Sequence, residues 1–249
     1  MEAKIKIKQR LYSINLANPL DISIPIHDGN SQVKAFHAPD VAFQPIIAGD
    51  FVGAVDAGSP VNFKNIHINP HGNGTHTECM GHITDEGQTI IHTLHQFFFL
   101  ARLVSIEPKE TANGDRIITK EQIADTWSGG QPQAYIIRTI PNRPSKMNYD
   151  YSGTNPPYLE PEAIQYLVEK NISHLLIDLP SVDKEEDGGK LASHKAFWQY
   201  PDSPRSYATI TELIYVPESI RNGLYILNLQ IAPFEMDASP SKPILYQIE

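Results

Sequence analysis

At 249 residues, with 41% hydrophobic and 20% charged content, the chain is composed like a globular protein long enough to bury a large core. A net charge of -9, with no Lys/Arg cluster beyond the short KIKIKQR start, excludes a surface that tracks a phosphate backbone, so no nucleic-acid partner is expected. No apolar run reaches the length of a bilayer span, the N-terminus lacks the order of a secretory signal, and the single cysteine, Cys79, excludes an intramolecular disulfide; a cytoplasmic protein without membrane contact is the expectation.

The first strand-like run covers residues 20–24 and precedes a loop over 28–48. Strands follow at 61–68 and 97–106. Thr119 then caps a helix over 120–127, with Gln122 completing a capping box that satisfies the free amides of the first turn. After a strand at 135–138 and a loop at 142–157, Pro161 opens a helix over 162–170, where no amide hydrogen is required. Ile164, Leu167 and Val168 give it one apolar stripe, and an apolar strand at 174–179 succeeds it. A loop at 183–190 and strands at 210–216, 225–229 and 244–248 complete the chain. Helix leading to buried strand is an α/β unit, while the strand-rich remainder mixes in α+β character. None of the loops reads as a linker, so one domain over 1–249 is expected.

The stretch His71-Gly72-Asn73-Gly74-Thr75-His76-Thr77-Glu78-Cys79-Met80-Gly81-His82 carries the chemistry. Six of the ten histidines, His67, His71, His76, His82, His92 and His95, lie between positions 67 and 95. Imidazole and carboxylate suit zinc or a similar divalent ion. On a strand, His76 and Glu78 face the same side; on a tight loop, Gly74 allows similar convergence. His82, six residues beyond His76, is placed to reach the same pocket from the following turn or helix. The competing reading is a histidine-rich surface loop that binds nothing; four candidate ligands interleaved with glycines favour a metal over it.

Gly74-Thr75-His76-x-Glu78-x-x-x-His82 resembles the His-x-Gly-Thr-His-x-Asp-x-Pro-x-His signature of the putative cyclase family, which includes bacterial kynurenine formamidase and isatin hydrolase. The resemblance extends to Asp21-Ile22-Ser23-Ile24-Pro25, to AIQYLVEKNISHLLIDLPSVD over 163–183, to Thr211-Glu212-Leu213, to Gly223-Leu224-Tyr225 and to Asp237-Ala238-Ser239-Pro240, nearly the whole chain. It implies a swivelling β/β/α domain, assembled as a homodimer or homotetramer. It implies one or two divalent ions, zinc or manganese, held by His71, His76, Glu78, His194 and Glu212. His82 takes the position of the family's acid/base histidine. The implied reaction is hydrolysis of a small amide, formamide or cyclic amide, an arylformamidase-like cleavage of a non-peptide C–N bond. No organic cofactor is implied.

Three departures from the signature stand out. The first family histidine falls at Gly72, one residue after His71, so either a glycine-rich bulge absorbs the extra residue or His71 stands outside the ligand set. Glu78 replaces aspartate and reaches one methylene further, and Met80 stands where the family has proline. Metal-dependent lyase, dehydratase or isomerase chemistry, or a non-catalytic binding protein on the same fold, are the alternatives. Elsewhere Phe97–Phe99 reads as packing, and Cys79 as a small apolar residue. Asp178 and Asp183 read as turn-fixing groups, with a substrate role the alternative for Asp183. Residues 184–187 read as a charged surface loop and His67 as a supporting or structural group. His92 and His95 read as surface groups on a helix or interface, and Phe36 or His37 as a candidate aromatic wall of the pocket.

Overall fold

Segments such as FFLARLVSI, AYIIRT and HLLI are apolar on successive residues, the pattern of strands covered on both faces. The computed structural model describes residues 1–249. Its main strands are β1 (Glu2–Ile7), β2 (Arg10–Asn15), β3 (Leu20–Asp21), β4 (His76–Glu78), β5 (Phe98–Ile106), β6 (Ala134–Thr139), β7 (His174–Ile177), β8 (Thr209–Glu212), β9 (Gly223–Ile231) and β10 (Ala238–Gln247). The helices are α1 (Lys120–Asp125), α2 (Pro161–Glu169) and α3 (Ala192–Trp198). Neighbouring strands run in the order β9-β5-β6-β7-β8-β4-β10, and β10 pairs back onto β9, so seven strands close into a barrel-like sheet with β3 added beside β10. β5, β6, β7 and β8 are parallel to one another, and the other pairings are antiparallel.

Alternation along each strand sorts the core into two layers. Phe99, Ala101, Leu103, Ala134, Ile136 and Leu176 point to one face, where they meet Cys79, Ile214, Leu227 and Leu245. Val104, Ile106, Tyr135, Ile137, Leu175 and Ile177 point to the other and pack against Ile123, Ile164, Leu167, Phe197 and Trp198 from the three helices. The Thr119–Gln122 capping box starts α1, Pro161 opens α2, and Ala163, Ile164 and Leu167 form its buried stripe, with Val168 packed at the margin. The mixed α/β expectation therefore holds.

Several boundaries differ from those expected. The run at 210–216 ends as strand β8 at Glu212, because Leu213 turns into the left-handed region at φ 53°. The run at 61–68 forms only Lys64–His67, paired with Ala42–Pro45 from within the expected 28–48 loop, in a ribbon outside the barrel. The alternating Lys/Ile start is the hairpin β1–β2, and Ile14 seals it onto Leu100 and Ile226. No helix is long and apolar enough to cross a membrane.

Candidate metal centre

β4 lies between β8 and β10, with His76 opposite Glu212 and Glu78 opposite Ala238. That register puts His76 and Glu78 on one side of a fully buried strand and brings the C-terminal end of β8 to them. Two glycines shape the approach. Gly74 adopts φ 128°, which side-chain-bearing residues rarely tolerate. Gly72 passes so close to Ala38 that an added Cβ would lie 2.3 Å from the Ala38 Cβ. His82 sits on the single turn Met80–Ile83 that follows the strand. His194 arrives on α3, whose first-turn amides at Ser193 and His194 donate to the Asp183 carboxylate at 2.7 and 3.1 Å.

Each imidazole uses one ring nitrogen outward and presents the other inward. His76 Nδ1 lies 3.0 Å from the Gly74 carbonyl oxygen, so it is the donor and Nε2 faces Glu212 Oε2 at 3.4 Å. His194 Nδ1 contacts Asp183 Oδ2 at 2.6 Å, with Nε2 3.1 Å from Glu78 Oε1 and 3.9 Å from Glu212 Oε1. His71 Nε2 meets Asp237 Oδ2 at 2.8 Å, and its Nδ1 stands 3.2 Å from Glu78 Oε2. His82 Nδ1 shares the same Asp237 oxygen at 3.3 Å, with Nε2 3.8 Å from Glu78 Oε2. Four inward nitrogens thus converge on two buried carboxylates.

This donor set fits a divalent ion. Metal-binding histidines characteristically anchor their second nitrogen to a carboxylate or carbonyl, as these four do. His76 Nε2 and Glu78 Oε2 are buried without a hydrogen-bond partner, an arrangement that costs free energy unless something else satisfies them. His71, His76 and Glu78 can offer atoms within 4.8 Å of one another, and so can Glu78, His82 and His194, and His71, His82 and Asp237. Glu78 belongs to two of these groups, and a carboxylate has two oxygens with which to serve both.

The electrostatics report the same demand for positive charge. Burial opposes ionisation of Glu78, yet His82, His194 and His71 hold it well below the ordinary carboxylate range. Burial and the neighbouring Glu78 together push Glu212 up. Burial disfavours charge on His71, but hydrogen bonds to Asp237 and Glu78 raise its imidazole to about 10; His194 rises to about 10 against the same burial through Asp183 and Glu78. Hydrogen bonds from His71 and His82 hold Asp237 far below its usual value.

All six expected site residues, His71, His76, Glu78, His82, His194 and Glu212, come together, the four histidines each within 4 Å of a Glu78 or Glu212 oxygen. Beside them is a cavity of about 320 Å³ lined by Phe36, Asn69, Ser181, Lys184 and Leu191 as well as His71, His82, His194 and Glu212. A larger cavity of about 670 Å³, beyond Thr139 and Lys146, contains none of the clustered histidines. His67 is exposed on the outer ribbon and supports nothing in the cluster, contrary to the supporting role considered for it. His92 and His95 are exposed and contribute no atom to the cluster, and His92 lies 3.5 Å from Glu235. Cys79 packs in the barrel core.

Two carboxylates have roles at the site that the sequence did not assign to them. Asp183 does more than fix a turn, since it binds the His194 ring and caps α3. Asp237 holds two imidazoles, whereas the sequence marked it only as the start of the Asp237-Ala238-Ser239-Pro240 segment, with no role at the site. The 184–187 segment is likewise no free surface loop: Lys184 pairs with Asp115, and Glu185 accepts from the amides of Gly153 and Asn155.

The family model described as putative cyclase matches residues 15–184. Similar solved structures include one described as a predicted metal-dependent hydrolase from Bacillus stearothermophilus, with TM-score 0.63 and 19% identity over 92% of this chain and 98% of that one. Isatin hydrolase A from Labrenzia aggregata, bound to benzyl benzoate, gives TM-score 0.67 and 14% identity over 93% of this chain and 94% of that one. Isatin hydrolase A from Ralstonia solanacearum gives 0.62 and 13% over 92% and 91%. At such identities the likeness is one of fold.

Proposed function

Because the chain belongs to the putative cyclase family, we propose that it is a metal-dependent hydrolase that cleaves a small amide, formamide or cyclic amide with water. The observation that carries this reading is the convergence of four outward-anchored imidazoles on Glu78 and Glu212, with His76 Nε2 and Glu78 Oε2 left unpartnered. In this reading His71, His76, Glu78, His194 and Glu212 hold one or two ions, zinc or manganese. A divalent ion in such a site polarises a carbonyl and brings the pKa of water to about 7.

His82 is the proton carrier. Asp237 beside its Nδ1 favours the tautomer with a free Nε2, the nitrogen nearest Glu78. That nitrogen takes a proton from the attacking water and returns it to the leaving nitrogen as the C–N bond breaks, giving a carboxylate and an amine. A cavity of about 320 Å³ sits at the lower end of the roughly 300–1,000 Å³ typical of ligand sites, so a small one- or two-ring substrate suits it better than a peptide. The isatin hydrolases among the similar folds are named for a cyclic amide, which supports the lactam branch. Self-association, as a homodimer or homotetramer, completes the proposal: the outer ribbon exposes Phe63 and Ile66 at 56% and 62%, and a second copy of the chain is the cover proposed for it.

The test is a panel of formamides and lactams assayed in ¹⁸O-labelled water with and without added zinc or manganese. One label in the carboxylate product, dependent on the metal, is expected. A product formed without label identifies lyase or isomerase chemistry and removes hydrolysis.

A further inference from the structure

The segment 183–191 is polar, contains Gly188 and Gly189, and forms no regular structure, yet it supplies the oxygen that fixes the His194 ring. Something must hold it, because a loop with few apolar contacts is otherwise drawn from the least stable part of a fold. The holding group is remote. Lys184, the residue after Asp183, places its ammonium 2.8 and 2.9 Å from the two oxygens of Asp115. Asp115 is 3% exposed and also accepts from Asn155 Nδ2 at 3.0 Å, Tyr158 OH at 3.1 Å and Asn113 Nδ2 at 3.1 Å. Those five contacts occupy all of the roughly four lone-pair sites of one carboxylate. An exposed ion pair contributes little, but one whose anion is buried and fully bonded fixes its cation in place.

We infer that Asp115 and Lys184 are positioning residues for the metal centre, acting through Asp183 on His194. The inference rests on the hydrolase reading for the identity of the group bound. Lys184 also lines the site cavity together with Glu212, His71 and His194, its side chain one-third exposed, so releasing it from Asp115 frees a cation at that cavity. Loss of the pair therefore loosens one ligand and adds a competitor for the carboxylates.

Metal-stripped protein is titrated with zinc against a chromophoric chelator, for the wild type, Asp115→Asn, Lys184→Gln and the double variant. Each single variant is expected to bind zinc about tenfold more weakly, in the range for groups that orient metal ligands, and the double variant no more weakly than the singles. Ile164→Val, which removes one buried methylene from α2, controls for stability loss alone and should leave zinc affinity unchanged. Hydrogen exchange on the same proteins should rise across 183–194 in Asp115→Asn. Zinc affinity within twofold of wild type in both single variants, losses that add in the double variant, an equal loss in Ile164→Val, or unchanged exchange would overturn the inference. A wild type that binds no zinc, with exchange still raised in Asp115→Asn, would instead overturn the reading of the site.

Discussion

His82 and Glu78 illustrate how residue type and register divide the work at the centre. Both face the cluster, but Glu78 is fully buried while the His82 side chain is 30% exposed toward the cavity. In the proposed mechanism the proton carrier must reach the cavity, and His82 lines it. His82→Ala is expected to leave metal content unchanged and to lower turnover about a hundredfold or more, measured by metal analysis beside steady-state rates. Metal lost together with activity would make His82 a ligand instead. His71 shows the limit of a linear motif. Counted along the chain it is one residue out of register, but the turn in which the Gly72 and Asn73 amides donate to the Asn69 carbonyl, with Gly72 against Ala38, lets its ring reach Glu78 and Asp237. Asp237 and Asp183 act across 166 and 11 residues of sequence respectively, and no spacing rule links them to their histidines.

At the scale of elements, what was legible followed from local chemistry. The Thr119 capping box, the Pro161 helix start and the apolar runs of β5, β6 and β7 are written within a few residues of where they act. Helix α3 was not legible, because the carboxylate that caps it, Asp183, lies ten residues before Ser193 and Leu191 offers no cap of its own. The strand expected at 61–68 is shorter than its apolar residues suggested, and every residue of Lys64–His67 is exposed. Close approach between elements is equally invisible in sequence. The segment around Phe36 is tied to the motif by the Ala35 amide donating to the Gly72 carbonyl at 3.0 Å. Gly72→Ala forces that segment away, at a cost of about 1–3 kcal/mol for overpacking. Thermal or urea denaturation should register the loss; an unchanged stability would mean the two segments separate freely.

The whole molecule couples its stability to pH through a group outside the site. His174, at the start of β7, hydrogen-bonds Thr209, and its ring centroid lies 4.0 Å from that of Phe99 with the planes tilted by 42°. Burial, with a smaller contribution from Arg205, pushes its imidazole down from 6.5 to about 3. The unfolded chain takes up this proton first, so the stability from the neutral ring is full above pH about 6.5 and falls as pH drops toward about 3, by about 1.4 kcal/mol for each pH unit. Urea unfolding between pH 7 and 4 should therefore show a shallower acid slope for His174→Gln than for wild type, by about one proton; equal slopes would contradict the assignment. Assembly belongs to the same scale. Light scattering should give a dimer or tetramer, and Phe63→Ser with Ile66→Ser should shift it toward the monomer. A monomeric wild type would leave the ribbon's apolar face without the cover proposed for it.

Metal binding by the cluster itself is the claim on which hydrolysis depends. Calorimetric titration of zinc into metal-stripped protein, wild type beside Glu78→Ala, measures it without needing the substrate. Saturable binding of one or two ions by the wild type, abolished in Glu78→Ala, is the predicted result. No saturable binding by the wild type, or equal binding by the variant, would contradict it.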